Sequence, residues 1–131
     1  MTKGVTTMTP EGKVKDACKK ELKKRGIWFY MPVQNGMGVV GIPDIIGCWN
    51  GWFIAIETKA KGKKAGVTTN QAQRLKEIHA AKGLALVIDD VEELVIILDD
   101  AARQLSEVKA DGSRDKVTEK PKEKSRIILP R

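Results

Sequence analysis

Two carboxylates and an ammonium stand at spacings that suit phosphodiester hydrolysis. Asp44 closes Gly41-Ile-Pro-Asp44, and Glu57 and Lys59 flank the threonine of Glu57-Thr-Lys59. Cutting a phosphodiester requires an activated water, neutralisation of charge on the phosphoryl oxygens and help for the departing alkoxide. Asp44 and Glu57 supply the hard oxygen ligands that Mg2+ or Mn2+ prefers. Glu57 and Lys59 are two residues apart, so a strand aims both at one face and sets an ammonium beside the metal. There Lys59 can orient the attacking water or stabilise the pentavalent transition state. Thr58 is expected to point away, with its backbone carbonyl between the two side chains as a further candidate metal ligand. Acids alone would leave part of the charge uncompensated, and a lysine alone would only hold phosphate. The competing reading is solvated charge at strand ends.

The elements around these residues must bring Asp44 to Glu57. Asp44–Trp49 and Trp52–Thr58 flank Asn50-Gly51, a two-residue signal for a type I′ hairpin turn. Both flanks are almost continuously apolar, which predicts central strands covered on both faces. Upstream, Thr9-Pro10-Glu11 reads as an N-cap, a proline at the first helical position and an acid in the first turn, opening a helix over 10–25. Its apolar stripe is short of large side chains, so it is expected to cover a sheet edge or a partner. Residues 27–33 suit a strand, and Asn35-Gly-Met-Gly38 breaks it with residues that tolerate positive φ. The absence of a Walker pattern makes this glycine-rich stretch a mobile hairpin beside the substrate.

Residues 59–66 read as a flexible basic loop. Thr68 and Gln71 have capping-box spacing and open a helix with Ala72, Leu75, Ile78 and His79 on its packing face. His79, without a second histidine or a nearby acid, reads as a structural residue. Leu84–Ile88 is then a strand able to pair in parallel after this crossover, and a helix running to about Glu107 follows, although 95–98 also suits a strand. Residues 1–9 look like a flexible leader and 109–131 like a charged arm, with 127–129 as a docking patch. The domain proper is 10–108.

Two further residues have dual readings. Glu11 either favours the helix N-terminus electrostatically or reaches the metal or its water. Gln71 either caps its helix or places an amide at the active face. Trp28, Phe29, Tyr30, Trp49, Trp52 and Phe53 are core or interface candidates, and one exposed ring among them would suit stacking on an unpaired base.

With 131 residues, 41% of them hydrophobic, the chain can build one compact core. Its net charge of +7, concentrated among the lysines of residues 1–30, favours polyanionic partners and speeds their encounter. Cys18 and Cys48 have no partners for a zinc site or disulfide framework, which fits a reduced, intracellular setting. No apolar run approaches a membrane span, and none follows the charged N-terminus as a signal peptide requires.

Taken together, Glu11, Gly41-Ile-Pro-Asp44, Glu57-Thr-Lys59 and Gln71 after Thr68-Thr69-Asn70 resemble the VRR-NUC family of the PD-(D/E)xK nuclease superfamily over roughly residues 10–90. The compactness resembles the stand-alone virus-type members. The resemblance implies an α/β, restriction-endonuclease-like core of order α-β-β-β-α-β, with a mixed central sheet flanked by helices. It also implies metal-dependent DNA cleavage leaving 5′-phosphate and 3′-hydroxyl ends. Asp44 and Glu57 would bind the metal, Lys59 would serve catalysis, Glu11 would assist metal or water, and Gln71 matches the glutamine after the active strand. Stand-alone members are similar to Holliday junction resolvases in forming homodimers that cut branched DNA. The implied setting is the cytoplasm of a bacterial host for a phage protein, and otherwise cytoplasmic or nucleoid-associated. For a dimer, residues 94–98, the aromatic hairpin and 127–129 are the candidate surfaces. The rivals are a non-catalytic nucleic-acid-binding module of the same shape, a nuclease acting on ordinary duplex, and a scaffold whose acidic 89–100 segment binds a basic partner.

Overall fold

A computed structural model describes residues 8–34 and 36–110. Helix α1 (Pro10–Lys24) starts at Thr9, whose hydroxyl accepts the Gly12 N–H at 2.9 Å, with Pro10 at the first helical position. Strand β1 (Trp28–Tyr30) follows, shorter than the 27–33 expected. Pro32 has no N–H to give a ladder, and Val33 is exposed. Strands β2 (Ile45–Trp49) and β3 (Trp52–Thr58) form the hairpin, and Asn50 and Gly51 turn it at φ 54° and 86°, both positive as a type I′ turn requires. Helix α2 (Thr69–Ala80), strand β4 (Leu84–Ile88) and helix α3 (Val91–Ala110) complete the order. The 95–98 segment is therefore helical, and α3 continues to Ala110. The expected leader and arm fall largely on residues 1–7 and 111–131, outside the described residues, as does the 127–129 patch.

The fold is α/β, with one four-stranded mixed sheet of order β1-β2-β3-β4. The first two pairings are antiparallel and β3–β4 is parallel, with α2 as the crossover. This realises the α-β-β-β-α-β order expected, with α3 added.

Residue alternation along β3 and β4 assigns the two layers. Ile54, Ile56, Leu84, Leu86 and Ile88 face Cys18 and Leu22 of α1 and Leu94, Ile97 and Leu98 of α3. Ala55, Ala85 and Val87 face Leu75 of α2. Helix α1 thus packs over the sheet beside α3, not at an edge as its small stripe suggested. The fully buried Cys18 and Leu22 are enough to seat it, and Arg25 ties its end to Asp99 of α3 at 2.7 Å. Leu94, Ile97 and Leu98 are correspondingly spent on the internal core, while Ile96 is exposed.

The sheet is not covered equally on both faces. Helix α2 lies against β3 and β4, so Cys48 on β2 and Phe53 at the start of β3 remain exposed. The expectation that both hairpin strands are enclosed holds for most of β3 and fails for the outer half of β2. A single crossover helix, about 10 Å across, roofs about two strands at a spacing of about 4.8 Å, not four.

The 59–66 stretch, expected as a flexible loop, is tied down along its length. A 3-10 turn spans Lys64–Gly66, the Gly62 N–H donates to Asp89 at 2.9 Å, Lys61 pairs with Asp90 at 2.8 Å and Lys64 with Glu93 at 2.6 Å. Two of its cations are therefore engaged by the β4–α3 junction.

Candidate active site

The hairpin register sets the carboxylates opposite each other. Ile45 pairs with Ile56, so Asp44 and Glu57 are the next facing positions and share the face on which α2 lies. Lys59, two residues on, points to the same side. Its Nζ lies 3.5 Å from Glu57 Oε2 and donates to Gln71 Oε1 at 3.1 Å.

Glu57 is the most constrained group. Its side chain is 2% exposed, and Oε1 is buried without a hydrogen-bond partner. Burial, followed by the charge of Asp44, pushes its carboxyl up from 4.5 to about 7, against the opposing pull of Lys59; Glu11 adds a smaller upward push. An acid poised near neutrality by burial and a like charge is a functional-site signature. Glu11, in the first turn of α1, is thus within electrostatic reach of Glu57.

Asp44 is held by Thr58, whose N–H and hydroxyl both donate to Oδ2, at 3.0 and 2.9 Å. Thr58 therefore does not turn its side chain away from the site, as strand alternation alone suggests. Asp44 sits past the end of β2, where its side chain bends across to meet Thr58. The bond from the Thr58 N–H shows that this peptide faces β2, while the Lys59 N–H donates to Ile88 of β4 at 3.0 Å. Asp44 Oδ1 faces Lys15 Nζ at 3.6 Å, beyond hydrogen-bond length. Lys15 is the site residue that sequence reasoning missed. Its signal was present: it stands four residues after Glu11, hence on the same helical face.

Gln71 performs both of the roles open to it. Its backbone N–H donates to Thr68 Oγ1 at 3.1 Å, and its Oε1 accepts the Thr68 N–H at 2.9 Å, closing the capping box. That same oxygen accepts from Lys59, so the start of α2 fixes the ammonium. Gly41 adjusts the approach from the other side: its φ is +85°, and a Cβ there would lie 2.6 Å from the Asn70 backbone. The loop leading to Asp44 thus packs directly on the first turn of α2. His79 stands in the last turn of α2, at the opposite end from Gln71.

The donor set has a definite preference. Among the described residues, no group of three or more His, Cys, Asp or Glu converges to hold a metal. Two carboxylates supplemented by water, backbone or phosphate oxygens suit Mg2+ or Mn2+ rather than Zn2+. The orphaned Glu57 Oε1 and the loosely held Asp44 Oδ1 are the oxygens with capacity for such an ion.

Comparison of the chain with protein-family models, curated proteins and solved structures returns no match. Among the described residues, no helix is long and apolar enough to cross a membrane.

Proposed function

We propose that this protein is a Mg2+- or Mn2+-dependent, structure-selective DNA endonuclease of the VRR-NUC and PD-(D/E)xK type, with a restriction-endonuclease-like core. The observation that carries the reading is Glu57: a buried carboxylate with an unsatisfied oxygen, raised to about 7, opposite Asp44 and beside Lys59. A carboxylate so placed is costly unless a cation or reacting group uses it.

Asp44 and Glu57 would hold the ion, with the Thr58 carbonyl as a further ligand. A bound ion lowers the pKa of a coordinated water and neutralises charge on the phosphoryl oxygens. Thr58 keeps Asp44 oriented through two donors to Oδ2. Lys59, steadied by Gln71, faces the developing charge, and its restricted geometry means little reorganisation accompanies the reaction. Glu11 and Lys15 stand on the same face of α1 to position water or phosphate. The net charge of +7 favours DNA as partner. Branched or junction DNA and a homodimer follow from the resemblance to stand-alone members. Two free cysteines fit an intracellular setting, the cytoplasm of a bacterial host if the protein is viral.

One observation favours the rival of a non-catalytic DNA-binding module: Lys15 already offers Asp44 a cation. Cleavage of a four-way junction, a flap, a single strand and a matched duplex, each with and without divalent ion, separates the readings. The wild type should cut branched forms only with the ion, and Asp44→Ala should bind without cutting. Binding without cutting by both proteins would establish the rival, and equal cutting of all forms would establish a nuclease of ordinary duplex.

A further inference from the structure

We infer that the half of the sheet face beside α2, left uncovered among the described residues, is a stacking platform for unpaired DNA bases, a role that rests on the nuclease reading for its place in catalysis. The register puts the relevant rings on one face. Trp28 pairs with Cys48, and Cys48 with Phe53; Tyr30 pairs with Ile46, and Ile46 with Ala55. Cross-strand partners share a face, and Ala55 and Ile46 belong to the layer under α2. Trp28 is 63% exposed, Tyr30 50% and Phe53 45%. The Trp28 and Tyr30 rings stand with centroids 5.7 Å apart and planes tilted by 51°, so each keeps an open π-surface.

Three properties select bases over a second copy of this chain. The first is area. Rings that bury about 150–250 Å² each when enclosed offer, at these exposures, roughly 240–400 Å², below the roughly 600–1,000 Å² per partner of a specific interface. The second is continuity: Asp44 lies on the same face, and four residues of strand separate it from Cys48, about 14 Å at an extended rise. An unpaired strand with a phosphate at Asp44 and Glu57 would cross Tyr30 and then Trp28. The third is charge. On this side α2 carries Lys76, with Lys82 just after it, while Arg74 pairs with Glu77 at 3.0 Å and the acids of α3 lie across the sheet. Rings beside a cationic flank are how proteins grip single strands without reading sequence.

The platform makes unpaired nucleotides next to the scissile phosphate the preferred substrate class. Binding of a short oligothymidylate, measured without divalent ion by fluorescence anisotropy and tryptophan quenching, tests it separately from cleavage. The double variant Trp28→Ala with Tyr30→Ala should bind more weakly by roughly 30-fold or more. Trp28→Phe with Tyr30→Phe should restore most of the affinity, since the π-faces return. In cleavage, the alanine pair should raise KM more for flap than for matched duplex. Unchanged oligothymidylate affinity in the alanine pair would overturn the platform, even if the enzyme cuts DNA. Conversion of a dimer to a monomer by the alanine pair, with oligothymidylate affinity intact, would overturn it in favour of a second copy. Ring-dependent binding by a protein that cuts nothing would uphold the platform and reject the nuclease.

Discussion

Replacing Glu57 by glutamine should stabilise the metal-free protein at alkaline pH while abolishing its proposed chemistry. The carboxyl is raised from 4.5 to about 7, so the folded state holds its proton more tightly than the unfolded chain does. The associated stability is fully present below about pH 4.5, declines as pH rises, and is lost once pH passes about 7. The interval between 4.5 and about 7 corresponds to about 3 kcal/mol. Glutamine has no proton to lose and carries no charge to bury. Urea unfolding followed by circular dichroism, with chelator present, should show the two proteins nearly matched below about pH 5. At about pH 8 the variant should be more stable by up to about 3 kcal/mol. Added Mg2+ or Mn2+ should reverse the order at high pH, because an ion at about 1,000 times its Kd stabilises the wild type by about 4.1 kcal/mol and has lost a ligand in the variant. Parallel pH profiles of the two proteins, or a variant less stable at pH 8 without metal, would refute the assignment of strain to Glu57.

Two further substitutions probe how the site is held. Gly41→Ala places a Cβ against the Asn70 backbone at a φ of +85°, and should lower stability by about 1–3 kcal/mol and displace Asp44. Gly62→Ala, at φ +80° with open space around it, should cost less, and equal thermal shifts would count against the clash. Thr68→Ala and Gln71→Ala each break the capping box and should cost about 1 kcal/mol. Only Gln71→Ala also releases Lys59, so it should lower the cleavage rate the more; equal rates at equal stability would remove Gln71 from the site.

Much of this architecture can be read from local patterns. Asn50-Gly51 between apolar runs specifies a turn and hence the register, and the register alone sets Asp44 opposite Glu57. Thr9-Pro10 and Thr68 with Gln71 mark two helix starts through caps that need no tertiary partner. What stayed illegible depends on contacts distant in sequence. The side chain of Thr58 turns to Asp44 because Asp44 lies beyond the ladder, which strand alternation cannot show. Lys15 enters the site only because α1 crosses the sheet, and the stripe of α1 suggested an edge because Cys18 and Leu22 pack deeper than their sizes imply. Likewise, the half-open face of β2 follows from where α2 lands, which leaves Trp28, Tyr30 and Phe53 exposed, while α3 buries Trp52 on the other face against Ala101 and Leu105. The ties from Lys61 and Lys64 to Asp90 and Glu93 join residues that no local motif connects.

Single-turnover cleavage of an end-labelled four-way junction tests the central claim most directly, with divalent ion added or chelated, for wild type, Glu57→Gln and Lys59→Met. The wild type should release product only with Mg2+ or Mn2+, and each variant should lose about 100-fold or more in rate. Metal-independent product, or product formed equally by all three proteins, would contradict a site built from Asp44, Glu57 and Lys59.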